Sequence, residues 1–223
     1  MLSMEALPRP LLDVLRTARV KQFPKGQIIL YEGDAFSDVF IIKKGAIKLY
    51  DIDEQGNEKI LHIVANPAVI PYAFFSGNQA STRWYYTALT DCEVYVVEQD
   101  KLRELMNSDS RVAWALIGNF SQDVHELLLR LSSLGKSVAQ DKLLVALRFL
   151  TVRHARERLG GWWRVRFAVN HQLLADMVGI TRESTAVAMK DLQEKGITRN
   201  PRQTTLEINR DKLLATTIPS KAD

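Results

Sequence analysis

The chain has 223 residues and a formal net charge of +4, and its 46% hydrophobic and 25% charged residues are typical of a folded globular protein and exclude a disordered chain. Its one cysteine, Cys92, excludes a disulfide within the chain and any metal or iron–sulfur site built from several cysteines. No stretch approaches about 18 apolar residues without a charge, so we expect a cytoplasmic protein without a transmembrane helix.

Charge is divided unevenly along the chain. Residues 1–135 hold 14 Lys and Arg against 17 Asp and Glu, whereas residues 136–223 hold 16 against 9. An acidic first part followed by a basic second part favours a polyanion partner that the second part alone contacts.

The first half of the chain predicts β structure. Short segments rich in Ile, Val, Phe and Tyr alternate with turn signals, and glycines in those turns are expected to adopt positive φ. Short strands at this spacing predict a compact antiparallel roll or sandwich. The predicted strands are residues 27–31, 38–43, 46–51, 59–64, 84–89 and 93–98, and the turn glycines are Gly26, Gly33, Gly45 and Gly56.

Residues 109–134 predict one long helix, because they contain no proline and a single glycine, Gly118. Apolar residues recur there at alternating intervals of four and three, which is the heptad pattern of a coiled coil and predicts a parallel homodimer. A second stripe, Val112, Leu116 and Leu128, is expected to pack on the helix's own β domain. The alternative is that the seam itself packs within the chain. The predicted dimer seam is Ala113, Ile117, Phe120, Val124, Leu127, Leu131 and Leu134.

A second helix is predicted at residues 137–158, stopped by Gly160 and Gly161, with a short strand at 162–169. Basic residues at the end of that helix would complement the negative end of its dipole. These basic residues are Arg153, His154, Arg156 and Arg158.

The most informative segment is NHQLLADMVGITRESTAVAMKDLQEKGI, residues 170–197. Asn170 is placed to cap a short helix and Thr181 to cap a second one, with Gly179 in the turn between them. This pattern predicts a helix-turn-helix, whose second helix enters the DNA major groove by its N-terminal residues. In a dimer, it predicts an operator with two-fold symmetry.

The whole chain resembles the family of the cyclic-AMP receptor protein and the fumarate-nitrate reductase regulator (CRP/FNR), which are bacterial transcription factors. The segment GQIILYEGDAFSDVFIIKKGAIKLYDIDEQGNEKIL resembles its cyclic-nucleotide-binding β-roll, GITRESTAVAMKDLQEKGI its helix-turn-helix and RNPRQTTLEINRDKLL its terminal β wing. The resemblance implies an α+β fold in three parts: a cyclic-nucleotide-binding-like β-roll effector domain (1–108), a dimerisation helix (109–136) and a winged helix-turn-helix DNA-binding domain (137–223).

The chain departs from this family at the nucleotide site, which contains a Gly-Glu pair and, farther on, Arg-Ser/Thr-Ala. The matching segment, NPAVIPYAFFSGNQASTRWYYTAL, has no glutamate, and it puts Thr82 in the arginine position with Arg83 one residue late. A cyclic phosphate needs a cationic donor and a ribose hydroxyl needs a carboxylate acceptor. The long helix also has Leu127 and Leu128 where cyclic-AMP responders carry a hydroxyl pair. We therefore expect no control by a cyclic nucleotide.

Other effectors remain as alternatives. His62, His125, His154 and His171 could each ligate haem, although a lone histidine is more often a surface or hydrogen-bonded residue. Aromatic residues of the same region either fill a core, which would make the protein independent of an effector, or line a pocket for an apolar or aromatic ligand. We expect the filled core, without a metal or a cofactor. The candidate pocket residues are Tyr72, Phe74, Phe75, Arg83, Trp84 and Tyr86.

The second predicted helix of the helix-turn-helix suggests how DNA is recognised. Arg182 is expected to bond guanine and Glu183 to accept from cytosine, while Val187 stands where the family has an arginine. Thr185 is expected on the same groove-facing side. Phosphate contacts are expected from Gln172, Thr181, Ser184, Lys190, Arg199 and Arg202.

The leading function is a dimeric, sequence-specific transcription regulator that binds a palindromic operator in double-stranded DNA, with RNA polymerase as a further partner if it is an activator. The alternative is a sensor for haem or an apolar or aromatic small molecule, acting mainly through a protein partner. An enzyme is not expected, because the sequence has no HExxH, no P-loop and no nucleophile-and-base signature.

Overall fold

The computed structural model describes residues 4–65, 67–77, 81–134, 138–202 and 204–216. The chain divides into two compact units, Met1–Asp51 with Leu61–His125, and Ile52–Ile60 with Glu126–Asp223. The long helix contributes residues to both units. Within the described ranges, no helix has the length and apolar character that crossing a membrane requires.

The strands of the first part of the chain form two four-stranded sheets, ordered β1-β8-β3-β6 and β2-β7-β4-β5. All six strands expected from the sequence are present, and β1 and β6 are additional. The strands are β1 (Arg19–Phe23), β2 (Ile28–Leu30), β3 (Asp38–Lys44), β4 (Ala46–Ile52), β5 (Glu58–Ala65), β6 (Val69–Ile70), β7 (Tyr85–Ala88) and β8 (Cys92–Glu98).

Among the described residues, three α-helices accompany these sheets: α1 (Arg9–Thr17), α2 (Gln99–Ser108) and α3 (Ser110–Leu134). The sequence predicted α3 to within one residue but neither α1 nor α2. Buried Leu11 and Leu15 lie four residues apart on α1, which gives this short helix its apolar face.

Side chains of β3 alternate between two hydrophobic cores, because successive residues of a strand point to opposite faces of its sheet. Phe40 and Ile42 belong to the core that also holds Ile47, Leu49 and Tyr86. On the other face, the neighbouring β3 side chains pack with buried residues of all three helices. That second core includes Val39, Ile41, Leu11, Leu15, Leu102, Val112 and Leu116.

Gly45 shows why the turn glycines matter. Gly45 has φ +99°, and a Cβ there would lie 2.6 Å from Cys92 Sγ and 2.7 Å from the Asp91 carbonyl oxygen. Any side chain would therefore be strained and would collide with β8. The positive φ expected for Gly26, Gly33 and Gly56 is also present.

The second unit contains helices on one sheet, ordered β11-β12-β10-β9. Helix α4 ends at His154, four residues earlier than expected, because the chain then enters a strand in which Arg156 pairs with Arg164. The prediction that Arg156 and Arg158 lie at the end of this helix is therefore wrong. The elements are α4 (Ala139–His154), β9 (Ala155–Glu157), β10 (Trp162–Val165), α5 (His171–Val178), α6 (Arg182–Glu194), β11 (Thr198–Arg202), β12 (Thr205–Asn209) and α7 (Arg210–Ala215).

Candidate nucleic-acid interface

Helices α5 and α6 form the expected helix-turn-helix, and both begin at the predicted caps. Asn170 Oδ1 accepts from the Leu173 amide at 2.8 Å, and Thr181 Oγ1 accepts from the Ser184 amide at 3.1 Å. Gly179 ends α5 in the left-handed conformation, with φ 66°. These contacts satisfy amides that a helix start leaves without partners, so the local sequence defines the turn.

Helix α6 separates a buried face from an exposed one. Thr185, Ala188, Met189 and Leu192 are buried. The opposite face exposes a cation, an anion and an apolar side chain at its start, and Val187 there is 72% exposed. This is the combination of groups that can meet base edges, phosphates and a thymine methyl in a major groove. The exposed residues are Arg182, Glu183, Ser184, Val187 and Lys190.

Thr185 does not fit the predicted groove-facing position. Its side chain is fully buried, and its hydroxyl donates to the Thr181 carbonyl at 3.0 Å. Thr185 therefore stabilises the first turn of α6 from inside, and the sequence-based assignment of a DNA contact to it is wrong.

A groove of about 610 Å³ runs beside the start of α5 and the exposed face of α6. Gln172 and Arg182, two predicted DNA contacts, both line it, and Gln172 also donates to Asp176 at 2.6 Å. The groove is lined by Val169, Asn170, His171, Gln172, Arg182, Gln193, Asn200 and Thr204.

Gln193 and Asn200 are groove residues that the sequence reasoning missed. Gln193 Nε2 donates to Asn200 Oδ1 at 3.4 Å, which links α6 to β11. Gln193 follows Arg182 by eleven residues, about three helical turns, so helical periodicity could have placed the two side chains on one face.

The wing sheet centres on a buried carboxylate. Glu207 is 2% exposed, and its two oxygens accept from Arg164 Nε at 2.7 Å and Arg199 Nε at 2.8 Å. Arg199 also lies over the Trp162 ring, 4.0 Å from its centroid. Although burial alone would raise the pKa of Glu207, hydrogen bonds and charges from both arginines hold it below its usual value. Arg199, predicted to hold a phosphate, therefore has its main contacts within the protein, while Arg202 is exposed.

The candidate effector residues that are aromatic are divided between two hydrophobic cores. Tyr72 and Tyr86 are buried in one core of the β-roll, whereas Phe74 is buried in the other. The Tyr86 hydroxyl accepts from the Tyr72 amide at 3.0 Å, and burial raises the pKa of Tyr86 to about 12. Phe74 and Phe75 also line a cavity of about 370 Å³ together with Ile117 and Phe120. The region therefore holds both a packed aromatic core and a pocket.

The Thr82 side chain is buried, whereas that of Arg83 is exposed. Thr82, in the position of the family arginine, is 2% exposed, and its hydroxyl donates to the Trp84 carbonyl at 3.1 Å. Arg83 is exposed, and Trp84 is partly buried. The position that would have to supply a cation to a buried phosphate therefore holds a neutral hydroxyl.

Helix α3 has buried polar residues that lie off the predicted heptad seam: Asp123, Glu126 and Arg130. Asp123 Oδ2 accepts from the Tyr72 hydroxyl at 2.7 Å, and Asp123 Oδ1 lies 3.5 Å from His62 Nε2. The Tyr72 ring also meets the Phe120 ring edge-on at 5.3 Å. Heptad periodicity gave no signal for these residues, because it treats charged positions as solvent-facing.

Only some residues of the predicted dimer seam lie on the exposed face of α3. Ile117 and Leu131 are 40% and 63% exposed, whereas Phe120 stacks on Phe75 of the same chain. Ala113, Val124 and Leu127 are partly buried, and the Leu134 side chain lies outside the described part of the chain.

Of the second apolar stripe, Val112 and Leu116 are buried as expected. Leu128 is 58% exposed, so the prediction that it packs on the β domain is wrong.

Two family descriptions match this chain. Residues 20–109 match "Cyclic nucleotide-binding domain", and residues 141–216 match "Crp-like helix-turn-helix domain". Together they cover the β-roll and the helix-turn-helix with its wing.

Known regulators are similar along most of their length. The chain is 25% identical over 187 residues to the HTH-type transcriptional regulator ArcR of Staphylococcus epidermidis, covering 80% of this chain and 77% of that protein. It is 22% identical to the Global nitrogen regulator of Synechococcus elongatus, over 79% of each chain.

The solved structure of FixK2 from Bradyrhizobium japonicum has the same fold. It matches with a TM-score of 0.75 at 20% identity, covering 93% of this chain and 100% of that chain. With the helix-turn-helix and β-roll described above, these likenesses establish that the chain belongs to the CRP/FNR family and is a transcriptional regulator with a Crp-like DNA-binding domain.

Proposed function

We propose that this protein is a dimeric regulator that binds an inverted-repeat operator without a cyclic-nucleotide effector. The observation that carries the proposal is the exposed face of α6, where Arg182, Glu183 and Lys190 surround the 72% exposed Val187. The exposed Val contributes nothing to the core of the monomer, and between charged side chains its methyl groups suit contact with a thymine methyl in a groove.

The exposed apolar face of α3 supports a second copy of the chain as its partner. Trp114, Ile117, Leu128 and Leu131 are 40–73% exposed, and with Val124 they follow intervals of three, seven, four and three residues. These intervals are heptad positions, so two parallel helices could bury all five side chains along one seam. This seam keeps Ile117, Val124 and Leu131 of the predicted one. It has Trp114 and Leu128 in place of Ala113 and Leu127, and it leaves out Phe120 and Leu134.

The proposed dimer would present two helix-turn-helix units, one from each subunit, to the same DNA. A two-fold protein matches a two-fold operator whose half-sites lie about one helical turn apart, roughly 34–36 Å. Arg182 is then the candidate for bidentate contact with guanine O6 and N7, and Lys190 for a phosphate.

Independence from cyclic nucleotides is supported by the interior of the β-roll. Tyr72, Tyr86 and Thr82 are buried and hydrogen-bonded with one another or with neighbouring backbone. A nucleotide would have to displace these contacts without gaining a buried cation for its phosphate, and an uncompensated buried phosphate charge is strongly unfavourable.

The dimer is tested by charge placed on the seam. Leu128→Asp should sediment as a monomer and lose operator affinity, because two buried carboxylates would face each other across the two-fold axis. Gln122→Asp adds the same charge at an exposed position outside the seam, and we expect it to remain a DNA-binding dimer. A Leu128→Asp protein that stays dimeric would contradict the proposed interface.

A further inference from the structure

Arg130, near the end of α3, joins three elements of the second unit. It is 9% exposed, and its Nη2 donates to the Ile60 carbonyl at 3.0 Å and to the Met177 carbonyl of α5. Its guanidinium lies 5.7 Å from the ring centroid of Phe149 in α4. All of these residues belong to the same compact unit, so the contacts tie the end of the long helix to the helix-turn-helix within that unit.

The Met177 carbonyl is one that α5 cannot satisfy by itself. Helix α5 ends at Val178, and the last carbonyls of a helix have no amide one turn ahead. The amides of Gly179 and Ile180 both bond the Ala175 carbonyl. Arg130 therefore caps the C-terminal end of α5, where a cation also meets the negative end of the helix dipole.

Burial lowers the pKa of Arg130 to about 10, so its guanidinium remains charged at neutral pH. A buried guanidinium is held by its hydrogen bonds in a fixed plane. A lysine at this position would keep the charge but would present it as a single point, so it would hold the two carbonyls less rigidly.

One turn earlier, Glu126 provides a second buried polar contact. It is 8% exposed, and its Oε1 lies 3.3 Å from Arg153 Nε of α4. Residues 126 and 130 share a face of α3 because they are four positions apart. Together the two contacts fix the rotation of the last turns of α3 against α4 and α5.

We infer that Arg130 is a positioning residue for operator recognition, which fixes the spacing between the two recognition helices of the dimer by capping α5 from the long helix. This inference rests on the proposed dimer and its inverted-repeat operator. Helix α5 leads directly into the turn before Arg182, so a shift of α5 moves the start of α6. In a symmetric dimer the same movement occurs in each subunit, so the distance between the two recognition helices changes by the sum of both movements.

The test measures how strongly each protein prefers one distance between the two half-sites of the operator, and not its affinity alone. The full chain, Arg130→Gln and Arg130→Lys are titrated with the duplex that wild type selects from random sequences, and with the same duplex lengthened or shortened by one central base pair. Arg111→Gln is the matched control, since Arg111 is exposed near the start of the same helix and pairs with Asp109. Sedimentation and circular dichroism check that each protein is a folded dimer.

Wild type and Arg111→Gln should prefer the selected spacing by about tenfold or more, since a misplaced half-site costs at least one base contact. Arg130→Gln should prefer it by less than about threefold, and Arg130→Lys should lie between the two. A variant that is merely less stable would lose affinity for all three duplexes alike, which would overturn the inference.

Equal spacing preference in all four proteins would also overturn it, while leaving the proposed function intact. If Arg130→Gln does not fold, Arg130→Lys decides: a reduced preference supports the inference, and a preference equal to that of wild type contradicts it. A wild type that selects no inverted repeat would contradict the proposed function, and the inference with it.

Discussion

The Tyr72 hydroxyl donates to Asp123 Oδ2 at 2.7 Å, and both side chains are buried. The two residues are 51 positions apart in sequence, one after β6 and the other on the long helix. This bond satisfies a carboxylate that burial would otherwise make costly, and it fixes α3 to the β-roll at the place where a family effector site would be expected.

Removing this hydroxyl should destabilise the β-roll. Tyr72→Phe leaves a buried carboxylate with one donor fewer, so we expect a loss of about 1–3 kcal/mol in the free energy of unfolding. Urea denaturation measures this loss, and Tyr31→Phe, at a 54% exposed tyrosine, is the control. Equal stability of the two variants would show that the hydroxyl contributes nothing.

The Glu207 cluster predicts that the second unit loses stability in acid. Because the folded-state pKa of Glu207 is lowered, its contribution is complete above the unfolded value near 4.5 and is lost as pH falls through the folded value. The free energy of unfolding should fall below about pH 4.5 in wild type and change less steeply in Glu207→Gln. Identical pH profiles of stability for the two proteins would refute this assignment.

Arg182 and Lys190 should contribute differently to DNA binding. Arg182→Ala should cost about 1–3 kcal/mol on the selected operator and little on random duplex, whereas Lys190→Ala should weaken both alike and reduce the salt slope by about one. Mobility shifts at several salt concentrations separate the two effects. If Arg182→Ala selects the same bases as wild type, Arg182 is not the base-contacting residue.

Cyclic AMP and cyclic GMP should bind to neither unit at micromolar concentrations. The buried Thr82 supplies no cation for a phosphate, and Tyr72 and Tyr86 already occupy the interior of the β-roll. Isothermal titration calorimetry is the direct measurement, and micromolar affinity for either nucleotide would overturn the proposal of effector independence.

Most of the fold could be predicted from the sequence wherever a local pattern determines the structure. The caps Asn170 and Thr181 and the turn at Gly179 gave both helices of the DNA-binding motif, and heptad intervals gave the long helix to within one residue. Helix α1 was missed because it is short and stands next to Pro8, and prolines predict an irregular segment as readily as a helix start.

The contacts that position the site could not be predicted in this way, because their partners are distant in the sequence. Arg130 donates to the carbonyls of Ile60 and Met177, which are 70 and 47 positions away in the sequence. Glu207 accepts from Arg164, which is 43 positions away. Arg199 and Thr185 show a different limit, because their partners are only eight and four positions away. Each is a polar residue of a type that can contact DNA, and residue type alone does not reveal that its hydrogen bond is made within the protein.

Selection of bound sequences from random duplex DNA tests the central claim most directly. The account predicts an enriched inverted repeat with half-sites about one helical turn apart, roughly 34–36 Å, with a guanine in each half-site that disappears from the selection with Arg182→Ala. Enrichment of a single half-site by a monomer, or no enrichment above random sequence, would contradict it.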